Sequence, residues 1–215
     1  MDLGSASPAT TATKWGDRVA RRRDILRAAS ELLEREGFDR FHIRAIARGA
    51  GVSAATLYSY FPNKLEIFAT LMQQRFAELR VEVERLDGEA TRSVEALVVR
   101  VMPELVDMYR HFGRHIHDWA DATERDSRAH ATSRTAFVEA TAALEAALRR
   151  AAANEGLELD DDPVMMPFVW STLFGLADHY CTNMHGTLGY SRRELTRYAA
   201  RSLARGLRRA PGARP

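Results

Sequence analysis

Residues 42–64, HIRAIARGAGVSAATLYSYFPNK, hold the side chains best suited to chemistry, and the chemistry they suit is hydrogen bonding to nucleic acid. Ile43, Ile46 and Ala47 mark the inner face of a short helix. Gly51 follows four residues after Ala47, where a sharp turn needs a residue that tolerates positive φ. Val52 closes the turn with an apolar side chain, and Ser53 is placed to cap a second helix through a free backbone N–H. In that second helix Leu57 faces inward, while Thr56, Ser59 and Tyr60 point elsewhere. A unit this small cannot hold a core alone, and its usual task is to present the second helix to a DNA major groove.

A second constellation lies further on. His111 and His115 stand four apart on a helix, a spacing known from metal pairs, with His117 and Asp118 close by. A third ligand would have to come from elsewhere, such as Asp178 or His179. No cysteine or Glu-x-x-His pattern reinforces a metal site, so polar groups at a pocket mouth or in solvent compete with it. An all-helical enzyme using these histidines, or Asp121, Glu124 and Asp126 as acid and base, is a rival of another class. No nucleophile is paired with a base at a recognisable spacing, and no glycine loop cradles phosphate. No catalytic residue, no metal ligand and no cofactor is assigned.

The elements that would position these groups are all helical, because no strand-like alternation of useful length occurs. A first helix is expected from about Arg18 to Glu36, with Ile25, Ala29, Leu32 and Leu33 as its stripe and Gly37 ending it. Its Arg21-Arg22-Arg23 cluster suits either the DNA backbone or solvent. Phe38 and Phe41 plug the small core. Tyr60-Phe61-Pro62 stops the reading helix, since proline disfavours a helical residue before it. Asn63 caps a fourth helix, Lys64 to Leu86, with Glu66 at the capping-box position. Five more follow: Arg92–His111 with a kink at Pro103, Arg114–Thr123, Ser127–Asn154, a helix opened by Asp162-Pro163 that reaches His185, and a last one capped by Ser191 and Glu194. The expected division is a disordered tail over 1–14, a helix-turn-helix head over 15–62 and a helical body over 63–210.

Composition sets bounds. The 46% apolar and 28% charged residues fit a globular protein, and the net charge of +2 is unevenly placed. Residues 1–64 carry 11 Lys+Arg against 7 Asp+Glu, whereas residues 65–215 carry 20 against 22. The basic surplus lies with the DNA reader, as a phosphate partner requires. No stretch is long and apolar enough to cross a bilayer, and MDLGSASPATTAT lacks the charged start and apolar block of a secretory signal. Cys181 is the one cysteine, so no intrachain disulfide forms; a cytoplasmic location and a small core thiol are expected.

Gly37-Phe38, Ile43-Arg44-Ala45-Ile46-Ala47, Ala50-Gly51-Val52-Ser53, Thr56-Leu57-Tyr58, Tyr60-Phe61 and Asn63-Lys64 together resemble the N-terminal domain of the tetracycline-repressor family of transcriptional regulators. The chain departs from that family at His42, where a capping threonine or serine that contacts phosphate is common. The resemblance implies an all-α fold of about nine helices, a DNA-binding head and a ligand-binding, dimerising body. It implies that Arg44 reaches backbone or an adjacent base, that Thr56, Ser59 and Tyr60 face base edges, and that Ala54 and Ala55 allow close approach. His42, Ser53, Tyr58 and Lys64 complete the DNA-contacting set, Tyr58 and Lys64 on phosphates.

The same resemblance implies an effector cavity in the body. Met102, Met108, Tyr109, Phe112, Ile116, Trp119, Phe137, Met166, Trp170 and Tyr180 are expected to wall it, for a small hydrophobic ligand. It also implies a homodimer through the last two helices, with Phe174, Ala177, Leu195, Tyr198, Leu203 and Leu207 at the interface. The function expected is a ligand-responsive repressor released from operator DNA by its effector; a metal sensor built on His111 and His115 is the variant.

Overall fold

In the computed structural model, residues 10–116 and 127–208 are described, with backbone alone for 10–16, 114, 127–129 and 185. The chain is all-helical: among the described residues there is no β-strand beyond an isolated antiparallel bridge between Leu159 and Arg208. It divides into two compact units, Met1–Leu71 and Met72–Pro215.

The first unit is built from α1 (Thr10–Glu36), a 3-10 turn (Phe38–Arg40), α2 (Ile43–Gly49), α3 (Ala54–Tyr58) and the first turns of α4 (Lys64–Glu84). The stripe Ile25, Ala29, Leu32 and Leu33 is buried, as its spacing requires. α1 begins at Thr10, eight residues before the expected Arg18, on a stretch with no apolar periodicity to announce it. Gly37 ends it with φ 75°, a conformation that a Cβ makes costly. Phe41 is fully buried and stacks near Phe38 at 5.9 Å, and both rings meet Phe68 edge-on at 6.2 and 5.0 Å. These contacts tie the start of α4 to the α1–α2 corner. Asn63 Oδ1 accepts from the Glu66 N–H at 2.9 Å, the cap expected there.

The second unit contains the rest of α4, then α5 (Gly88–Thr91), α6 (Val94–Phe112), α7 (Ser127–Asn154), α8 (Met165–Cys181), α9 (Met184–Thr187) and α10 (Arg192–Gly206). α6 is central and packs against α7, α8 and α10. Ser93 caps it, and Pro103 lies within it. α7 has the expected bounds, and its end is fastened to α5 and α6: Asn154 donates to the Thr91 carbonyl at 2.9 Å, and Glu155 accepts from the Val94 N–H at 2.8 Å. Asp162 accepts from the Val164 N–H, which delays α8 to Met165. The left-handed Asn183 then separates α8 from α9, so the helix expected to reach His185 is two. Ser191 and Glu194 form a reciprocal capping box at α10. Most of the helix expected over Arg114–Thr123 lies outside the described residues. Cys181, expected in the core, is exposed. No helix among the described residues is long and apolar enough to cross a membrane.

Phe41→Ala should cost about 3–5 kcal/mol of stability, because three aromatic rings lose their shared contact. Urea unfolding followed by circular dichroism measures this, and a variant as stable as the parent would contradict the packing assigned to Phe41.

Candidate functional site

The head presents α3 through one turn. Gly51 has φ 64°, and the Val52 N–H donates to the Ala47 carbonyl at 2.9 Å, so the chain reverses within four residues. Ser53 Oγ then accepts from the Thr56 N–H at 3.0 Å and lies 2.8 Å from Thr56 Oγ1. Ser59 Oγ donates to the Thr56 carbonyl at 2.6 Å. Leu57 and Ile46 are fully buried and hold α3 to α2. The outer side carries exposed Ser53, Ala55, Thr56, Tyr58 and Ser59, with Ala54 half-buried. Tyr58 is 55% exposed, too open to be a core ring.

α3 is shorter than expected. It ends at Tyr58, and Ser59 and Tyr60 continue as a turn whose N–H groups still bond back to α3 carbonyls. Tyr60 is half-buried beneath the Arg18 guanidinium, 5.4 Å from its ring centroid, and Arg22 lies 4.9 Å over Phe61. Part of the basic face of α1 is thus spent on fixing the end of the motif. Arg44 and His42 are exposed, and His42 caps α2 by its backbone without a side-chain bond. Half-buried Lys64 opens α4 with Nζ 4.5 Å from the Phe38 ring, which places a cation beside the helix N-terminus. Arg18 was missed by sequence reasoning; its spacing of four from Arg22 was the available signal.

The second unit holds a half-open cavity of about 930 Å³ between α4, α6, α7 and α8. Six of the expected residues line it: Met108, Tyr109, Phe112, Ile116, Phe137 and Trp170. Met102 and Tyr180 do not; they line a separate cavity of about 340 Å³ beside Arg192 and Thr196. Tyr180 Oη donates to the Arg192 carbonyl at 3.0 Å and lies 2.7 Å from Thr196 Oγ1, so it ties α8 to α10. Burial pushes its phenol above the usual range, and the Thr196 bond and Arg192 charge oppose this. Met166 is core, and Trp119 lies outside the described residues.

Phe174, expected at a subunit interface, is half-buried and lines the larger cavity, stacked on Trp170 at 5.0 Å. Ala177, Leu203 and Leu207, assigned with it, are buried within their own chain; Leu195 is half-buried and Tyr198 is 67% exposed. Met72 and Phe76 on α4 join the wall, with Phe76 5.2 Å from Phe137 and Phe137 5.3 Å from Trp170. Trp170 Nε1 donates to Thr141 Oγ1 at 2.9 Å, which fixes the indole. Sequence reasoning missed Arg75, Thr141, Glu145 and Ser171 in the wall, since each reads as an ordinary solvated helix position, and named Asp178 only as a possible metal ligand. Among the described residues no group of His, Cys, Asp and Glu could hold a metal ion. His111 Nδ1 faces the Asp107 carbonyl at 2.6 Å, and His117 and Asp118 lie outside the described residues.

A short reading helix, exposed on one side and anchored on the other, defines a helix-turn-helix protein. Residues 25–71 match the family profile of bacterial regulatory proteins of the tetR family. An HTH-type transcriptional regulator of Mycobacterium tuberculosis is 36% identical over 81 residues, 38% of this chain and 42% of that protein. The repressor KstR of Mycolicibacterium smegmatis is 32% identical over 76 residues, 35% of this chain and 34% of that one. The matches thus span about two fifths or less of these relatives. The structure of FadR from Thermus thermophilus, a TetR-family repressor in complex with lauroyl-CoA, has a TM-score of 0.56 at 25% identity, covering 90% of this chain and 100% of that one. A Rhodococcus protein shares the fold with a TM-score of 0.67 at 21% identity, over 88% of this chain and 96% of that one. Over residues 25–71 the chain is thus similar to the tetR family of bacterial regulatory proteins, and over most of its length it shares the fold of the FadR structure.

A methyl group on Gly113 would overlap the Tyr109 ring. Gly113→Ala should therefore displace that ring from the cavity wall and cost about 1–3 kcal/mol. A thermal melt together with a crystal structure of the variant checks it, and an unmoved ring at unchanged stability would contradict the close approach.

Proposed function

We propose that the protein is a transcriptional repressor in the cytoplasm that binds operator DNA as a homodimer and is released by a small, mostly hydrophobic effector. The exposed outer side of α3, held by the Gly51 turn and the Ser53 cap, is the observation that carries this reading. Ala54 and Ala55 let the helix approach the groove floor, where their methyl groups suit thymine methyls. Thr56 and Ser59 offer hydroxyls to base edges, in competition with their bonds inside the motif. Tyr58, Lys64, Arg44 and His42 are placed for phosphates, which orient the reader while bases specify the site. Tyr60, covered by Arg18, contributes through its hydroxyl edge.

A dimer supports this reading because one five-residue helix reads too few bases for a specific site. Two copies a DNA turn apart, about 34–36 Å, double the contact. Of the residues expected at the interface, Tyr198 and Leu195 on α10 remain available on the surface. α4 supplies the link to the effector. Its first residue, Lys64, belongs to the head, and Met72, Arg75 and Phe76 line the cavity. A ligand that prefers one placement of these three residues biases α4 as a whole, and a coupling of about 1–3 kcal/mol suffices for useful regulation. The cavity volume suits a drug-sized molecule. The FadR relative, solved with lauroyl-CoA, supports an effector with a large apolar part.

Gel shifts with DNA flanking the protein's own gene test this function. Tyr58→Ala and Lys64→Ala should each weaken binding by roughly 1–3 kcal/mol, and Lys64→Ala should lower the salt slope by about one. Unchanged binding by both variants would overturn the contact assignment.

A further inference from the structure

We propose that the larger cavity takes a hydrophobic organic cation: a lipophilic amine, quaternary ammonium or phosphonium compound with aromatic or extended apolar groups. This rests on the effector reading above and names the chemical class of the ligand.

Among the described residues three charged side chains line the cavity: Arg75, Glu145 and Asp178. Arg75 is more than balanced, since it pairs with Asp107, with Glu78 at 3.0 Å and with Glu104 at 3.8 Å. An incoming anion would have to compete with three carboxylates for that one guanidinium. Glu145 is held by Arg149 at 2.8 Å, but Arg149 is shared with Asp161 at 3.1 Å and does not itself line the cavity. Asp178 accepts from Tyr109 Oη at 3.0 Å, and no basic side chain among the described residues pairs with it. Among the described residues the wall therefore carries acid on both α7 and α8, and the acid on α8, Asp178, has no basic partner.

The same cavity is lined by a run of rings, and Tyr109 at one end of the run bonds to Asp178. Phe76, Phe137, Trp170, Phe174 and Tyr109 are linked by centroid separations of 5.0 to 6.5 Å. The faces of aromatic rings carry negative potential and attract cations, most strongly where water is excluded. A carboxylate at one end of a ring-lined cleft selects a positive ligand and rejects an isosteric negative one, whose charge would be left unpaired. A fatty acid or acyl-CoA shares the apolar part but brings the wrong sign. The cavity is wide, at about 930 Å³, which suits a bulky or flexible cation.

Two pairs of matched probes test this by titration calorimetry on the full-length protein: tetraphenylphosphonium against tetraphenylborate, and dodecyltrimethylammonium against laurate, the latter pair below micelle formation. Each cation should bind at least tenfold more tightly than its anionic counterpart. Asp178→Asn and Glu145→Gln should each reduce that preference at least threefold, with folding confirmed by circular dichroism. Should a variant fail to fold, the ranking on the parent protein decides. Anions binding as tightly as cations would overturn the proposal and leave a hydrophobic effector cavity standing. Binding by none of the four probes would overturn the proposal together with the effector reading.

Discussion

The turn between α2 and α3 constrains everything the head can do. Gly51 sits at φ 64°, where a residue with a Cβ loses about 1–2 kcal/mol. The Ser53 cap follows two residues later, so the reversal and the start of α3 are fixed by adjacent local bonds. Leu57 then buries the inner side of a helix only five residues long, too short to persist without that anchor. Whatever α3 reads, it reads with side chains whose directions this turn determines. The aromatic trio of Phe38, Phe41 and Phe68 carries the same constraint to the first turns of α4.

The body uses its helices differently. A single run of apolar positions along α8 serves the chain's own core through Leu173 and Ala177, and a cavity through Trp170 and Phe174. Rigid contacts hold the cavity's framework: Trp170 bonded to Thr141, and Arg75 locked among carboxylates. α4 contributes to both the head and the cavity wall, so under the proposed function a single helix would carry the signal between DNA and ligand.

How legible this was in the sequence depends on what each signal encodes. Local backbone chemistry read well: the positive φ of Gly37 and Gly51, the caps at Ser53, Asn63 and Ser191, and the bounds of α7 all follow from residue types at fixed offsets. Packing partners read poorly. Periodicity says that a face is covered, not by what, so Ala177, Leu203 and Leu207 looked available to a second chain while serving their own. The start of α1 was hidden because its first turns have no apolar stripe, and Glu145 at the cavity because it looks like any exposed helix charge. Arg22 gave a motif-fixing role to a cluster that reads equally as solvated, and Arg18, outside that cluster, does the same over Tyr60.

The central claim is that the outer side of α3 enters double-stranded DNA. Chemical-shift mapping of the isotopically labelled protein with its operator duplex tests it most directly. The largest perturbations should fall on the amides and methyls of Ala54, Ala55 and Thr56 and on the ring of Tyr58, with Lys64 at the edge. Perturbations confined to α6–α10, or none at α3 under conditions of saturated binding, would contradict it.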